Sequence, residues 1–229
     1  MENITKQSIH EILADLLDYP DACWPSLIES CGELVADEMP AASDAFTNFR
    51  KGVITLSLSE LQELYTRTFD LSPVCALDIG YHLFGENYKR GVFLANLSET
   101  EAPFDLGQEH QLPDYLPVLL RLLPRLDDEE LRASLISECM IPALEKMLKT
   151  LSEGENPYRH LIEVVRGQLH KELGIQSGSA ATQCGKAVPY RQAVEEYFAA
   201  PPLLVSIQRT RTKAEVTTQH ETVIVGGNV

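Results

Sequence analysis

Positive charge is what this sequence is short of: 19 lysines and arginines stand against 34 aspartates and glutamates, a formal net charge of -15. Residues 1–174 carry all of the imbalance, about -16, since residues 175–229 hold five lysines and arginines against four glutamates. Such a body repels a phosphate backbone and has few cations with which to displace counterions, so nucleic acid is excluded as a partner and a basic peptide suits it better. No run reaches the roughly eighteen apolar residues of a membrane span, so direct membrane insertion is not expected. The first helical pattern begins close to Met1, without the basic n-region, continuous apolar stretch and cleavage site of a secretory leader, and a soluble, cytoplasmic protein is expected.

Chemistry-bearing patterns are missing as well. The five cysteines are an odd number at irregular spacing, and three of them sit in apolar helical patterns, which reads as structural thiols in a reducing compartment. The six histidines show none of the spacings that let metal ligands converge, so no metal is expected. Gly85 and Gly91 frame Glu-Asn-Tyr-Lys-Arg, with neither a phosphate-loop ending nor dinucleotide-binding spacing, and Gly-x-Ser-x-Gly does not occur. The acidic pairs fall at helix starts or on polar faces, where they complement a helix dipole. The sequence therefore offers no catalytic residue, and neither an enzyme nor a bound cofactor is expected.

Periodic apolar residues are present throughout the first three quarters of the chain. Ile9, Ile12, Leu13, Leu16 and Leu17 make a helix that stops at Tyr19-Pro20. Pro25 opens a second with Leu27, Ile28, Cys31, Leu34 and Val35, and Pro40 separates it from a third with Phe46, Phe49 and Val53. Ser57 and Glu60 have the form of a capping box ahead of Leu58, Leu61, Leu64, Tyr65, Thr68 and Phe69. Ser72-Pro73 reads as the start of a short helix closed by Gly85, and another run follows from Glu86 to about Leu97. Residues 98–111 are polar and irregular; Asp114 then reads as the cap of a helix that Pro124 ends. Asp127 to Glu130 suit the start of a long helix that Pro142 kinks or breaks, and Asn156-Pro157 opens the last, with Gly174 as its terminator.

With 44% hydrophobic content there is enough apolar surface for one sizeable core. The expected fold is all-α: a single-domain helical bundle over residues 1–174, followed by a linker and a mostly irregular C-terminal tail over 175–229. In that tail Leu203 to Ile207 and Val223 to Val225 are short apolar runs able to add a strand or dock in a groove.

Three segments carry more specific information: Tyr65-Thr-Arg-Thr-Phe-Asp-Leu71, Leu83-Phe-Gly-Glu-Asn-Tyr-Lys-Arg-Gly91 and Leu112-Pro-Asp-Tyr-Leu-Pro117. In this order they resemble the nitrate reductase delta-subunit family of molybdenum-cofactor assembly chaperones, within the wider class of redox-enzyme maturation chaperones. The resemblance runs from about Ile9 to Gly174. It implies an all-helical cytoplasmic chaperone of nitrate assimilation that binds the N-terminal region of the catalytic subunit of a membrane-bound nitrate reductase. Such a chaperone supports molybdenum cofactor insertion and holds back membrane attachment until maturation. The family's Glu-Leu-Pro-Asp-His run reads Gln111-Leu-Pro-Asp-Tyr115 here, so a histidine able to titrate near neutral pH is replaced by tyrosine.

On this resemblance the client-binding residues are Tyr65, Phe69, Leu83, Phe84, Glu86, Tyr88, Arg90, Pro113, Asp114, Tyr115 and Leu119. The large side chains among them would line a concave face suited to an amphipathic helix, with anionic rims for its basic residues. A monomer or weak homodimer is expected. Rival readings are a chaperone for a different molybdenum oxidoreductase, a nucleotide-dependent helical regulator, and a permanent adaptor subunit.

Overall fold

The computed structural model describes residues 8–71, 75–108 and 110–175. The tail from 176 onward, including the apolar runs at 203–207 and 223–225, lies outside the described residues, as does the Ser72-Pro73 helix start.

Within the described residues the chain is a bundle of α-helices whose only β pairing is one isolated bridge. The α1 helix (Ile9–Leu17) begins at Ser8, whose hydroxyl accepts from the Glu11 amide while Glu11 reaches back to the Ser8 N–H, the reciprocal arrangement that satisfies two orphan donors. Pro25 lies in the first turn of α2 (Trp24–Glu38), and α3 (Ser43–Val53) buries Phe46, Phe49 and Val53, as their spacing predicts. The α4 helix (Leu58–Tyr65) starts from the expected Ser57–Glu60 box, but Leu58 is 41% exposed rather than inward.

The next helix departs from expectation. The sequence reads Ala76 and Leu77 as part of a helix running on through Ile79, yet α5 (Ile79–Phe84) begins only at Ile79. Asp78 just before it is extended and pairs antiparallel with Tyr115, the Ile79 N–H donating to the Asp114 carbonyl and the Leu116 N–H to the Leu77 carbonyl, both at 2.9 Å. A long-range pairing has taken backbone groups that a helix would have used. Gly85 ends α5 with φ +61°, a conformation that disfavours a side chain.

Asn87 caps α6 (Tyr88–Glu101), which continues past the expected Leu97. The α7 helix (Leu116–Leu122) buries every residue but Arg121, and Pro124 follows in a 3₁₀ turn. After α8 (Glu129–Ser134), a π-helical stretch over Leu135–Met140 precedes α9 (Ile141–Leu151). Pro142 thus follows directly on the π turn within one continuous helical run, and the widened turn takes up the predicted break. The α10 helix (Tyr158–Glu172) ends at Gly174, φ +70°, the expected left-handed terminator.

Packing brings distant segments together: α1 lies against α7 and α2, α10 against α3 and α9, and α5 against α9 and α6. An aromatic cluster of Phe49, Tyr65, Phe69 and Tyr158 fills the space between α3, α4 and α10, with ring centroids 4.9 to 6.0 Å apart and edge-on or tilted geometry.

Candidate functional site

Two guanidiniums organise the surface around Tyr115. Arg121 is the single charge in an otherwise apolar α7, and a cation in that position needs a counter-ion. It finds two at the end of α1, donating to Asp15 at 2.7 Å and to Asp18. Arg90, on α6, donates through Nε to Asp114 Oδ2 at 2.9 Å and through Nη2 to Oδ1 at 3.3 Å, a two-pronged pair on a carboxylate with no exposed surface. The same Nη2 lies 3.9 Å from Asp78, and the guanidinium carbon stands 5.9 Å from the centre of the Tyr81 ring.

Asp114 thus does not cap the following helix, as the sequence suggests; the residue at that cap is Tyr115, without a side-chain cap bond. A bidentate partnership with a half-buried arginine outweighs a capping bond worth about 1 kcal/mol. Gly80 makes room for it: a Cβ there would fall 2.5 Å from Asp114 Oδ2 and 3.1 Å from the Phe93 ring.

Between these pairs lie two buried hydroxyls. The Tyr65 hydroxyl donates to the Leu17 carbonyl at 3.0 Å and meets the Tyr115 hydroxyl, also at 3.0 Å. Either hydroxyl can be the donor between the two tyrosines. Burial, together with the charges of Asp18, Asp70 and Asp78, pushes the Tyr115 hydroxyl well above the usual tyrosine range, so it stays protonated.

The three aspartates around it are themselves perturbed. Burial raises Asp18, only partly offset by Arg121 and reinforced by Asp15; burial alone raises Asp70; burial and the Asp114 charge raise Asp78, against the pull of Arg90. In sum, five carboxylates face two cations across a half-open surface, and Asp70 has no ion pair among the described residues. Beside them Tyr19 is 55% exposed, its ring edge-on to Tyr65 at 5.5 Å, and Leu71 is 75% exposed. Two apolar side chains thus stand in water beside a group of carboxylates that outnumbers its cations.

The residues anticipated from the sequence are divided by the structure. Tyr65, Phe69, Leu83, Tyr115 and Leu119 are core residues, so the concave aromatic face expected of them is closed: their rings and methyls are spent on one another and on Tyr158. Asp114 is buried with Arg90; Phe84, against Phe93, and Pro113 are half-buried. Only Glu86 and Tyr88 stand fully at the surface, Tyr88 at 78% exposure. The sequence reading did not single out Asp18, Tyr19, Asp70, Leu71 or Asp78. For Asp18 a signal was available in the lone Arg121 of an apolar helix, which needs an acidic partner.

Among the described residues no helix is long and apolar enough to cross a membrane, and no group of three or more histidines, cysteines or acids is placed to hold a metal ion.

No family model matches the chain. It is similar, however, to the probable nitrate reductase molybdenum cofactor assembly chaperone NarJ of Bacillus subtilis (strain 168), 25% identical over 178 residues, covering 77% of this chain and 95% of the relative. The probable nitrate reductase molybdenum cofactor assembly chaperone NarW of Escherichia coli (strain K12) is 23% identical over 188 residues, 82% of this chain and 79% of that protein. The Escherichia coli (strain K12) nitrate reductase molybdenum cofactor assembly chaperone NarJ is 27% identical over 158 residues, 67% of this chain and 66% of its own length. All three carry the name of assembly chaperones, and they bear out the family resemblance read from the three segments.

Proposed function

We propose, from the premise that this chain is a homologue of the nitrate reductase molybdenum cofactor assembly chaperones, that it binds the N-terminal region of a nitrate reductase catalytic subunit while that subunit matures. Held there, the client stays open to insertion of the molybdenum cofactor and is kept from its membrane partner until maturation is finished. The chaperone makes and breaks no covalent bond. It acts by occupying a segment and then releasing it.

The observation that carries this reading is the surface around Tyr115. Asp18 and Asp78 are half-buried and Asp70 lies at the surface, all three held above the ordinary carboxylate range by partial desolvation, and Tyr19 and Leu71 beside them are left exposed. A client segment with basic residues restores the missing charge, and its apolar residues cover those side chains at about 25 cal/mol per Å². The closed aromatic cluster beneath acts as a rigid floor that fixes where the carboxylates stand. Phe84, Glu86 and Tyr88 extend the same reading across the Arg90 side, Asp78 being common to both parts.

Isothermal titration of the full chain with a synthetic peptide of the catalytic subunit's first residues tests it. The expected result is saturable binding that the combined D18N, D70N and D78N substitutions weaken about tenfold, as the loss of three rim charges implies. No heat of binding from the well-folded parent, or an unaltered affinity in a well-folded triple variant, would overturn the proposal.

A further inference from the structure

A second opening lies at the far end of the helical run that carries Asp70. The α4 helix passes directly into a π-helical stretch over Thr66–Asp70, so Leu58 and Asp70 stand toward opposite ends of one rod. Beside its first turns, Trp24, Ile28, Val53, Ile54, Leu58 and Leu61 wall an open groove of about 150 Å³, with Asp21 at its edge. The chain between α1 and α2 joins this groove to the carboxylate surface, running from Asp18 and Tyr19 to Asp21. It is clamped along α4: the Gln62 amide donates to the Pro20 carbonyl at 2.8 Å, and the Tyr19 ring stands edge-on to Tyr65.

Tyr19, Ile54, Leu58 and Leu71, all large hydrophobic side chains left exposed, flank this one run. Scattered singly, such residues need no explanation; lined up along one helix, they mark a surface that meets a partner. The size of the groove limits what that partner inserts. Small-molecule sites measure about 300–1,000 Å³ and carry convergent polar groups; this groove is smaller, and Asp21 is the one charged residue on its wall. A second copy of the chain brings a further formal charge of -15 against a surface that is already acidic. A space of about 150 Å³ holds one group the size of benzene, so a single leucine or phenylalanine side chain fills it.

We infer that the groove takes one large apolar side chain of the same client segment whose basic residues meet Asp18, Asp70 and Asp78, and so sets the spacing at which that segment is read. The inference rests on the client reading above and adds a second point of contact to it. Asp21 repeats, at the groove, the combination of carboxylate and exposed apolar wall found around Asp70 and Leu71. From Leu61 to Asp70 the helical run rises about 13 Å. A client that bridges the two points carries its apolar anchor about nine residues from the cation at Asp70 if it is helical, or about four if it is extended. A segment with the same residues at another spacing engages one end only.

The test titrates the full chain, as parent and as the double variant I54S/L58S, with the synthetic peptide of the catalytic subunit's first residues. Both positions already face water and serine leaves the charge unchanged, so a melting curve suffices to check that the variant is folded. Its affinity is expected to fall about tenfold, the order lost with the burial of one branched side chain, while the salt dependence stays that of the parent. An alanine scan of the peptide should find one large apolar residue at the stated spacing whose loss weakens the parent about tenfold and the double variant little. The photo-crosslinker p-benzoylphenylalanine at Ile54 should join that residue. Unaltered affinity in a well-folded I54S/L58S, or crosslinks from position 54 confined to the chaperone itself, would overturn the inference. If the triple aspartate variant binds weakly and I54S/L58S binds like the parent, this inference falls and the client reading stands; a parent that binds no peptide removes both.

Discussion

Arg90 carries more of the fold than its half-buried position suggests. It is the cation that holds the fully buried Asp114 carboxylate, and removing one partner of such a pair leaves a charge without compensation. Urea denaturation of R90A is expected to show a loss of about 3–5 kcal/mol, and G80A, which drives a methyl group into the same carboxylate, about 1–3 kcal/mol. The raised aspartates behave in the opposite sense. A carboxyl whose folded pKa lies above its unfolded value binds protons in the folded state first, so its contribution to stability grows as pH falls through that raised pKa and is lost as pH rises. D70N should therefore melt at or above the parent temperature at pH 7, with the difference fading on acidification. The same protonation removes negative charge from the surface, so affinity for a basic client peptide should decline on acidification from a pH above the ordinary aspartate range, which calorimetry against pH will show. At this scale the sequence was partly legible. Leu-Pro-Asp-Tyr suggested a cap because capping is local, whereas the real partner of Asp114 is 24 residues away and known only through packing.

At the scale of elements, caps and prolines made most helices readable, because both act within one turn: Pro25, the Ser57–Glu60 box, Asn156-Pro157 and Gly174 all lie where their chemistry requires. The start of α5 was unreadable because its neighbour is Tyr115, and the π turn over Leu135–Met140 was unreadable because no simple residue pattern announces an extra residue per turn. The α1 helix joins stability to function, since it ends at Asp15, Asp18 and Tyr19. S8A, which removes the acceptor for the Glu11 amide, should lower stability by about 1 kcal/mol in urea titrations. Peptide affinity should change little, because the carboxylates are held at the other end of the helix by Arg121.

For the molecule as a whole, net charge was plain from composition, while the surface on which it acts was not: the expected furrow of aromatic rings is closed, and among the described residues a carboxylate surface and a separate groove assembled from four segments are open. A formal charge of -15 should steer a cationic peptide toward the protein. Stopped-flow association is thus expected to slow about tenfold between low and physiological salt, with dissociation much less affected. The pairing of α3 with α10 also governs how this protein is made. Phe46 and Phe49 emerge early in translation, whereas Tyr158, against which Phe49 packs, is synthesised near the end of the described chain. Until then the nascent polypeptide must carry an unfinished greasy side through the cell, and a protein that shelters others spends most of its own synthesis in need of shelter.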